Sequence, residues 1–230
     1  MAENFLRNEK KYILSQEKYK KITEKLKDFI LPDKYPFNQL MTVYYDNDDY
    51  RLIKRSIEKP LYKEKLRIRS YSPPLDNDKV FVELKKKVDG VVYKRRTKAI
   101  YKDVLNNIYD CKFDDKQVEK EIKYLFSIYK DLKPKIFISC DRTYYVGKND
   151  KDLRITFDDN LKYRLGDAYL NKNINDKALT DKKIMEIKVS GAIPLWFTRI
   201  LNELEVYPSS FSKVGSAFLK EKEESKIWNY

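Results

Sequence analysis

Charged and apolar residues alternate one by one along much of this chain, the period of a strand whose two faces meet different surroundings. Over residues 62–71, Lys65, Arg67 and Arg69 alternate with Leu66 and Ile68; over 79–88, Glu83, Lys85 and Lys87 alternate with Val82 and Leu84. Residues 91–98 put Lys94 and Arg96 on one face, 153–157 set Arg154 and Thr156 (with Asp158 next) against Leu153, Ile155 and Phe157, and 183–189 set Glu186 and Lys188 against Met185, Ile187 and Val189. A first strand is expected over 5–13, with Arg7, Glu9 and Lys11 on one face. Further strands are expected over 40–45, 135–146 and, as a short piece, 161–165. Asp89-Gly90 is a two-residue hairpin signal between two of the strands.

A different period marks the helices. Ser15 reads as the N-cap of a helix running to about residue 29, with Ile22, Leu26, Phe29 and Ile30 on one face. Residues 48–57, 102–108 and 115–129 read as helices, the last with Val118, Ile122, Leu125, Phe126 and Tyr129 in helical register. Pro194 suits the start of a helix to about residue 204, and 212–222 is the final one. Pro73-Pro74 and residues 75–79 form a loop rather than a boundary. About eight strands with interspersed helices and no regular strand–helix–strand alternation predict an antiparallel α+β fold, taken as one domain over 1–230.

Composition narrows the chemistry. Lys plus Arg is 49 and Asp plus Glu is 36, so the net charge is +13. That balance favours polyanions. Histidine is absent, which excludes His-based triads, His zinc sites and imidazole bases. The two cysteines, Cys111 and Cys140, have no Cys-x-x-Cys spacing and read as inert thiols. Neither a Gly-rich phosphate loop nor a dinucleotide fingerprint occurs. The first residues lack the apolar core of a signal peptide, and no apolar run is long enough for a transmembrane segment, so a cytoplasmic protein is expected. Most tyrosines, such as Tyr19, Tyr124 and Tyr129, fall at helix positions expected at the core or its boundary. Trp196 and Phe197 read as packing residues.

One alternating strand is usually a half-wet sheet. Repeated over many strands, with faces rich in Arg and Lys, the pattern suits a barrel interior that holds a charged ligand. So many inward cations repel one another unless a polyanion joins them. Arg matches phosphate oxygens with a planar fork, and Lys adds a mobile point charge. Glu9, Glu83, Asp158 and Glu186 suit a Mg²⁺ or Mn²⁺ ion that takes most ligands from water and phosphate. For Glu9 and Glu83 a salt bridge to a neighbouring cation is an equal reading.

These residues resemble a known family. The set Arg7-x-Glu9-x-Lys11-Tyr12, Tyr44-Tyr45-Asp46-Asn47, Arg67-x-Arg69, Glu83-x-Lys85, Arg142, Arg154-Ile155-Thr156-Phe157-Asp158, Glu186-x-Lys188 and Ser212-Lys213 is similar to the catalytic domain of the vacuolar transporter chaperones (VTC), within the triphosphate tunnel metalloenzymes. The resemblance runs from about Arg7 to Phe218. It implies an antiparallel eight-stranded tunnel with flanking helices and ATP-driven polyphosphate synthesis with Mn²⁺ or Mg²⁺. It implies phosphate contacts and catalysis by Lys11, Arg67, Arg69, Arg142, Arg154 and Lys188. It further implies substrate binding by Lys85, Lys94, Ser212 and Lys213, and a metal on Glu186. Lys94 has a rival register through Arg95 and Arg96. Related hydrolases begin Glu-x-Glu-x-Lys, so Arg7 favours the polymerase branch. Cys140 stands two residues before Arg142, where a Tyr is expected in polymerase relatives. Eukaryotic members carry inositol-phosphate-sensing and membrane segments; this chain resembles a stand-alone microbial version.

The implied partners are ATP and polyphosphate, with no nucleic acid expected. In the implied reaction the terminal phosphoryl group passes to an orthophosphate or chain end. Two other readings stand beside it. The same tunnel could hydrolyse triphosphate or polyphosphate with water as acceptor. A non-catalytic nucleic-acid or polyanion-binding module would use the net charge and the 19 tyrosines.

Overall fold

The computed structural model describes residues 8–58, 60–89, 91–171 and 176–225. Arg7, the start of the expected first strand and Gly90 of the hairpin lie outside the described residues. In chain order the elements are β1 (Asn8–Leu14), α1 (Gln16–Leu26), β2 (Ile30–Asp46), α2 (Arg51–Ile57), β3 (Tyr62–Ser70), β4 (Lys79–Val88), β5 (Val91–Ile100), α3 (Tyr101–Asn107) and α4 (Lys116–Ile128). Then follow β6 (Lys133–Gly147), β7 (Arg154–Leu165), β8 (Lys177–Ala178), β9 (Lys183–Val189), α5 (Leu195–Glu203) and α6 (Lys213–Ser225). The sheet runs in the order β1-β9-β7-β6-β2-β3-β4-β5, and β8 adds to β7. The fold is antiparallel α+β, as the strand patterns predict.

The chain groups into two compact units, residues 1–39, 140–161 and 180–212, and residues 40–139, 162–179 and 213–230. Each has its own core. In the first, Tyr12 and Leu14 of β1, Ile22 and Leu26 of α1, Ile155 and Phe157 of β7, Met185 and Ile187 of β9, and Phe197 of α5 pack together. In the second, Val43, Leu66, Ile68, Val82 and Leu84 of the sheet pack against Tyr101 and Val104 of α3 and Val118, Ile122 and Leu125 of α4.

Local chemistry sets the element ends. The Ser15 hydroxyl accepts from the Lys18 N–H at 3.1 Å and opens α1. The helix stops at Leu26, short of the expected residue 29, because Phe29 leaves the buried face to stack on Trp196 at 4.3 Å. Trp196 in turn stacks on Phe197. Strand β2 begins at Ile30 and not at residue 40. Its first half carries Pro32 and Pro36 and is mostly exposed, so it shows no alternation to read. Helix α2 starts at Arg51 and not at residue 48; Tyr50 is its N-cap residue, and the Asp46 carboxylate satisfies N–H groups of its first turn. Fully buried, Asp46 accepts from the Leu52 and Ile53 N–H groups at 2.9 and 2.8 Å.

The expected strands 153–157 and 161–165 are one strand, β7, which passes through Asn160 at φ 47°. Asn tolerates this left-handed conformation, and the irregularity hides the continuity. The pair Lys177–Ala178 was not anticipated. Of the tyrosines expected at the core, Tyr129 is buried and Tyr19 packs at its edge, but Tyr124 is 62% exposed on α4. Among the described residues no helix is long and apolar enough to cross a membrane.

Two charged faces as a candidate functional site

In the second unit the ladders of β2, β3, β4 and β5 stack polar side chains in rows. Cross-strand partners share a face. One row is Tyr44, Arg67, Glu83 and Arg96, the next Lys65, Lys85 and Lys94, and the row beyond Tyr44 is Thr42, Arg69, Phe81 and Lys98. Glu83 is the hub and is fully buried. Its Oε2 accepts from Arg67 Nε at 2.7 Å and lies 3.8 Å from Arg69 Nη1. Its Oε1 accepts from Arg96 Nε at 2.8 Å and lies 2.8 Å from Lys94 Nζ. Burial opposes the charge on Glu83, yet Arg67, Arg69 and Lys94 outweigh it and hold the carboxyl far below the usual range.

Tyr44 belongs to the same hub. Its hydroxyl accepts from Arg67 Nη1 at 3.1 Å. Burial alone would raise its pKa, but Arg67, Lys65 and Arg69 bring the phenol down to about 7. Arg96 donates to the Tyr71 hydroxyl at 2.8 Å and lies over the Phe81 ring at 3.9 Å.

The first unit builds a second face from β1, β9 and β7. One row is Lys11, Glu186 and Thr156; the next is Glu9, Lys188 and Arg154. Glu186 Oε1 lies 2.6 Å from Lys188 Nζ, and its Oε2 lies 3.9 Å from Lys11 Nζ. Lys11 Nζ is also 3.5 Å from Glu9 and donates to the Phe211 carbonyl at 3.3 Å. Burial opposes ionisation of Glu186, but Lys188, Arg142 and Lys11 hold it down at about 2. Arg142 forks onto Asp158, with Nη2 donating to Oδ2 at 2.7 Å and Nε to Oδ1. Asp158 is 1% exposed.

The residues singled out by sequence therefore fall on two faces. Arg67, Arg69, Lys85 and Lys94 share one, and Lys11, Arg142, Arg154, Glu186 and Lys188 share the other. Ser212 follows Phe211, whose carbonyl Lys11 holds, and Lys213 opens α6. The register of β5 places both Lys94 and Arg96 on Glu83. Arg95 points the opposite way, where it and Lys86 hold Glu121 of α4 at 3.2 and 3.0 Å. Sequence reasoning missed the parts of Arg96 and Tyr44. The Lys94-x-Arg96 spacing was the available signal for the first. The salt-bridge reading of Glu83 is the one observed.

Among the described residues, no three His, Cys, Asp or Glu side chains gather as a ready-made metal cage. The first unit nonetheless fits a hard cation held partly by phosphate. Glu186 offers carboxylate oxygens, Glu9 stands in the neighbouring row, and the buried Thr156 hydroxyl directly across the ladder has no hydrogen-bond partner. That is an all-oxygen set of the kind Mg²⁺ and Mn²⁺ accept with few protein ligands. Glu83, ringed by cations, does not fit. Both cysteines are buried, and burial pushes the Cys111 thiol up to about 11, so neither is a poised nucleophile.

Comparison with known proteins agrees with this geometry. The crystal structure of a "putative adenylate cyclase" from Bacillus halodurans is similar to this chain with a TM-score of 0.56 and 17% identity, covering 89% of this chain and 92% of that one. A protein of Pyrococcus horikoshii is similar at a TM-score of 0.47 and 16% identity, over 93% of this chain and 99% of that one. At 17% identity the likeness to the first of these speaks for the fold alone. No curated protein sequence matches. The family model for the VTC domain matches residues 6–220, nearly the whole chain and every residue of both charged faces, and the protein belongs to the VTC domain family.

Proposed function

We propose that this protein is an ATP-dependent polyphosphate polymerase. The terminal phosphoryl group of ATP passes to a phosphate oxygen of the acceptor. A new P–O–P link forms, the link between the β and γ phosphates breaks, and ADP leaves. Arg67, Arg69, Lys85 and Lys94 in one unit, and Lys11, Arg142, Arg154 and Lys188 in the other, would bind and orient phosphate oxygens and neutralise their charge. Ser212 and Lys213 would add substrate contacts. Glu186 would hold Mn²⁺ or Mg²⁺, which when bound neutralises phosphate oxygens as a Lewis acid. Phosphoryl transfer depends chiefly on such positioning and charge stabilisation.

One observation favours a phosphate acceptor over water. The carboxylates on these faces are ion-paired, and Glu83 and Glu186 are held far below neutral pKa. Carboxylates so paired are poor general bases, which water as the attacking group would need. A phosphate anion needs none. Arg7, in place of the Glu that opens related hydrolases, points the same way.

The test is incubation with ATP and Mn²⁺, resolving polyphosphate on a stained gel while assaying free phosphate. A long polymer, lost in Arg67→Ala, is expected. Free phosphate without polymer would make the protein a hydrolase instead.

A further inference from the structure

We propose that the Thr156 hydroxyl is, beside Glu186, a protein oxygen ligand of the divalent cation. The assignment rests on the metal-dependent reading above and adds a residue to it. Thr156 lies on β7 directly across the ladder from Glu186 on β9, and Glu186 faces Lys11 on β1. The three form one row on the charged face. Thr156 is 8% exposed, and its Oγ1 is buried with no hydrogen-bond partner among the described residues.

An unsatisfied buried hydroxyl opposes folding, because water is lost and no hydrogen bond replaces it. Valine has nearly the same shape, favours strands as much and carries no such cost. A hydroxyl here therefore calls for a ligand. Its neighbours decide which kind. Lys188 takes Glu186 Oε1 at 2.6 Å, but the ion pair at Oε2 is with Lys11 at 3.9 Å, beyond hydrogen-bond distance. Oε2 thus keeps capacity for a cation, in a row that also holds a neutral hydroxyl oxygen. Carboxylate plus hydroxyl is a pairing that hard divalent ions accept while phosphate and water complete the shell, as at the Ser/Thr of phosphate-binding loops. The other orphaned hydroxyl, Thr143, does not share this arrangement. It follows Arg142, and since Arg142 reaches Asp158 on the charged face, Thr143 points to the opposite one.

The experiment measures Mn²⁺ binding by electron paramagnetic resonance of the free ion, alone and with inorganic tripolyphosphate. It compares the parent with Thr156→Val and Thr156→Ser, and thermal melts confirm that each is folded. Thr156→Val is expected to weaken Mn²⁺ binding about tenfold while melting no lower than the parent, and Thr156→Ser to stay within about twofold. Unchanged Mn²⁺ affinity in Thr156→Val would overturn the assignment and make the hydroxyl merely structural. A parent that binds no Mn²⁺ under either condition would overturn it too. Because the readout is metal binding, it separates from the polymerase reading. Normal Mn²⁺ binding with no polymer from ATP would remove that reading and leave the ligand assignment standing.

Discussion

The face around Glu83 and the face around Glu186 follow the same alternation, yet they differ in what surrounds the carboxylate. Glu83 has no exposure and is closed in by three guanidinium groups and Lys94. Glu186 is 7% exposed, is paired with two lysines, and stands across from a hydroxyl without a hydrogen-bond partner among the described residues. Guanidinium forks make rigid, directional bonds, whereas lysine ammonium groups swing on flexible stems. The Glu83 face therefore holds its cations in a preset array, which under the proposed function would bind phosphates. The Glu186 face, under the same proposal, would release its carboxylate to a metal.

Several substitutions would break or sharpen this contrast. The largest effect is expected from Arg67→Ala, which should lower polymer synthesis at least about 100-fold, the scale for losing one preorganised donor to a developing charge. Arg95→Ala, on the opposite side of β5, should change it less than about twofold. Equal losses from both would show that face position does not matter.

Next is stability. Glu83→Gln should cost roughly 3 kcal/mol in chemical unfolding, because it strands buried cations. Glu186→Gln should cost less, since the partly exposed Lys11 and Lys188 can return to solvent. Similar costs would erase the distinction between rigid and releasable carboxylates. Acid unfolding tests the same point. Glu186 lies at about 2 when folded against an ordinary 4.5. Its contribution is complete above about 4.5 and is lost as pH falls toward 2. Glu186→Gln should flatten that part of the stability profile.

The smallest effect concerns Tyr44. With its phenol near 7, rising pH turns it into an anion on Arg67 that competes with phosphate. Tripolyphosphate affinity should fall roughly threefold between pH 6 and 8.5. Tyr44→Phe should reduce this fall, and an unchanged profile in that variant would exclude Tyr44 as its source.

Legibility in the sequence followed regularity. Strands β4 and β9 have the expected bounds, because charged and apolar residues alternate along most of each. The first half of β2 was missed where two prolines and exposed side chains blur the period, and β7 was split where Asn160 bends it. On the charged faces, which residues point together could be read strand by strand. Which cation meets which carboxylate could not, since alternation sends Arg95 and Arg96 to opposite faces but only the pairing of β4 with β5 sets Arg96 beside Glu83.

By itself the sequence determined the strand and helix periods, the surplus of cations, the absence of histidine and the resemblance to a phosphate-handling family. All of these depend on residue type and short spacing. The tertiary structure alone decided that Arg67 and Arg96 share Glu83 and that Thr156 stands across from Glu186. Those contacts join residues on different strands, and strand pairing brings them within reach.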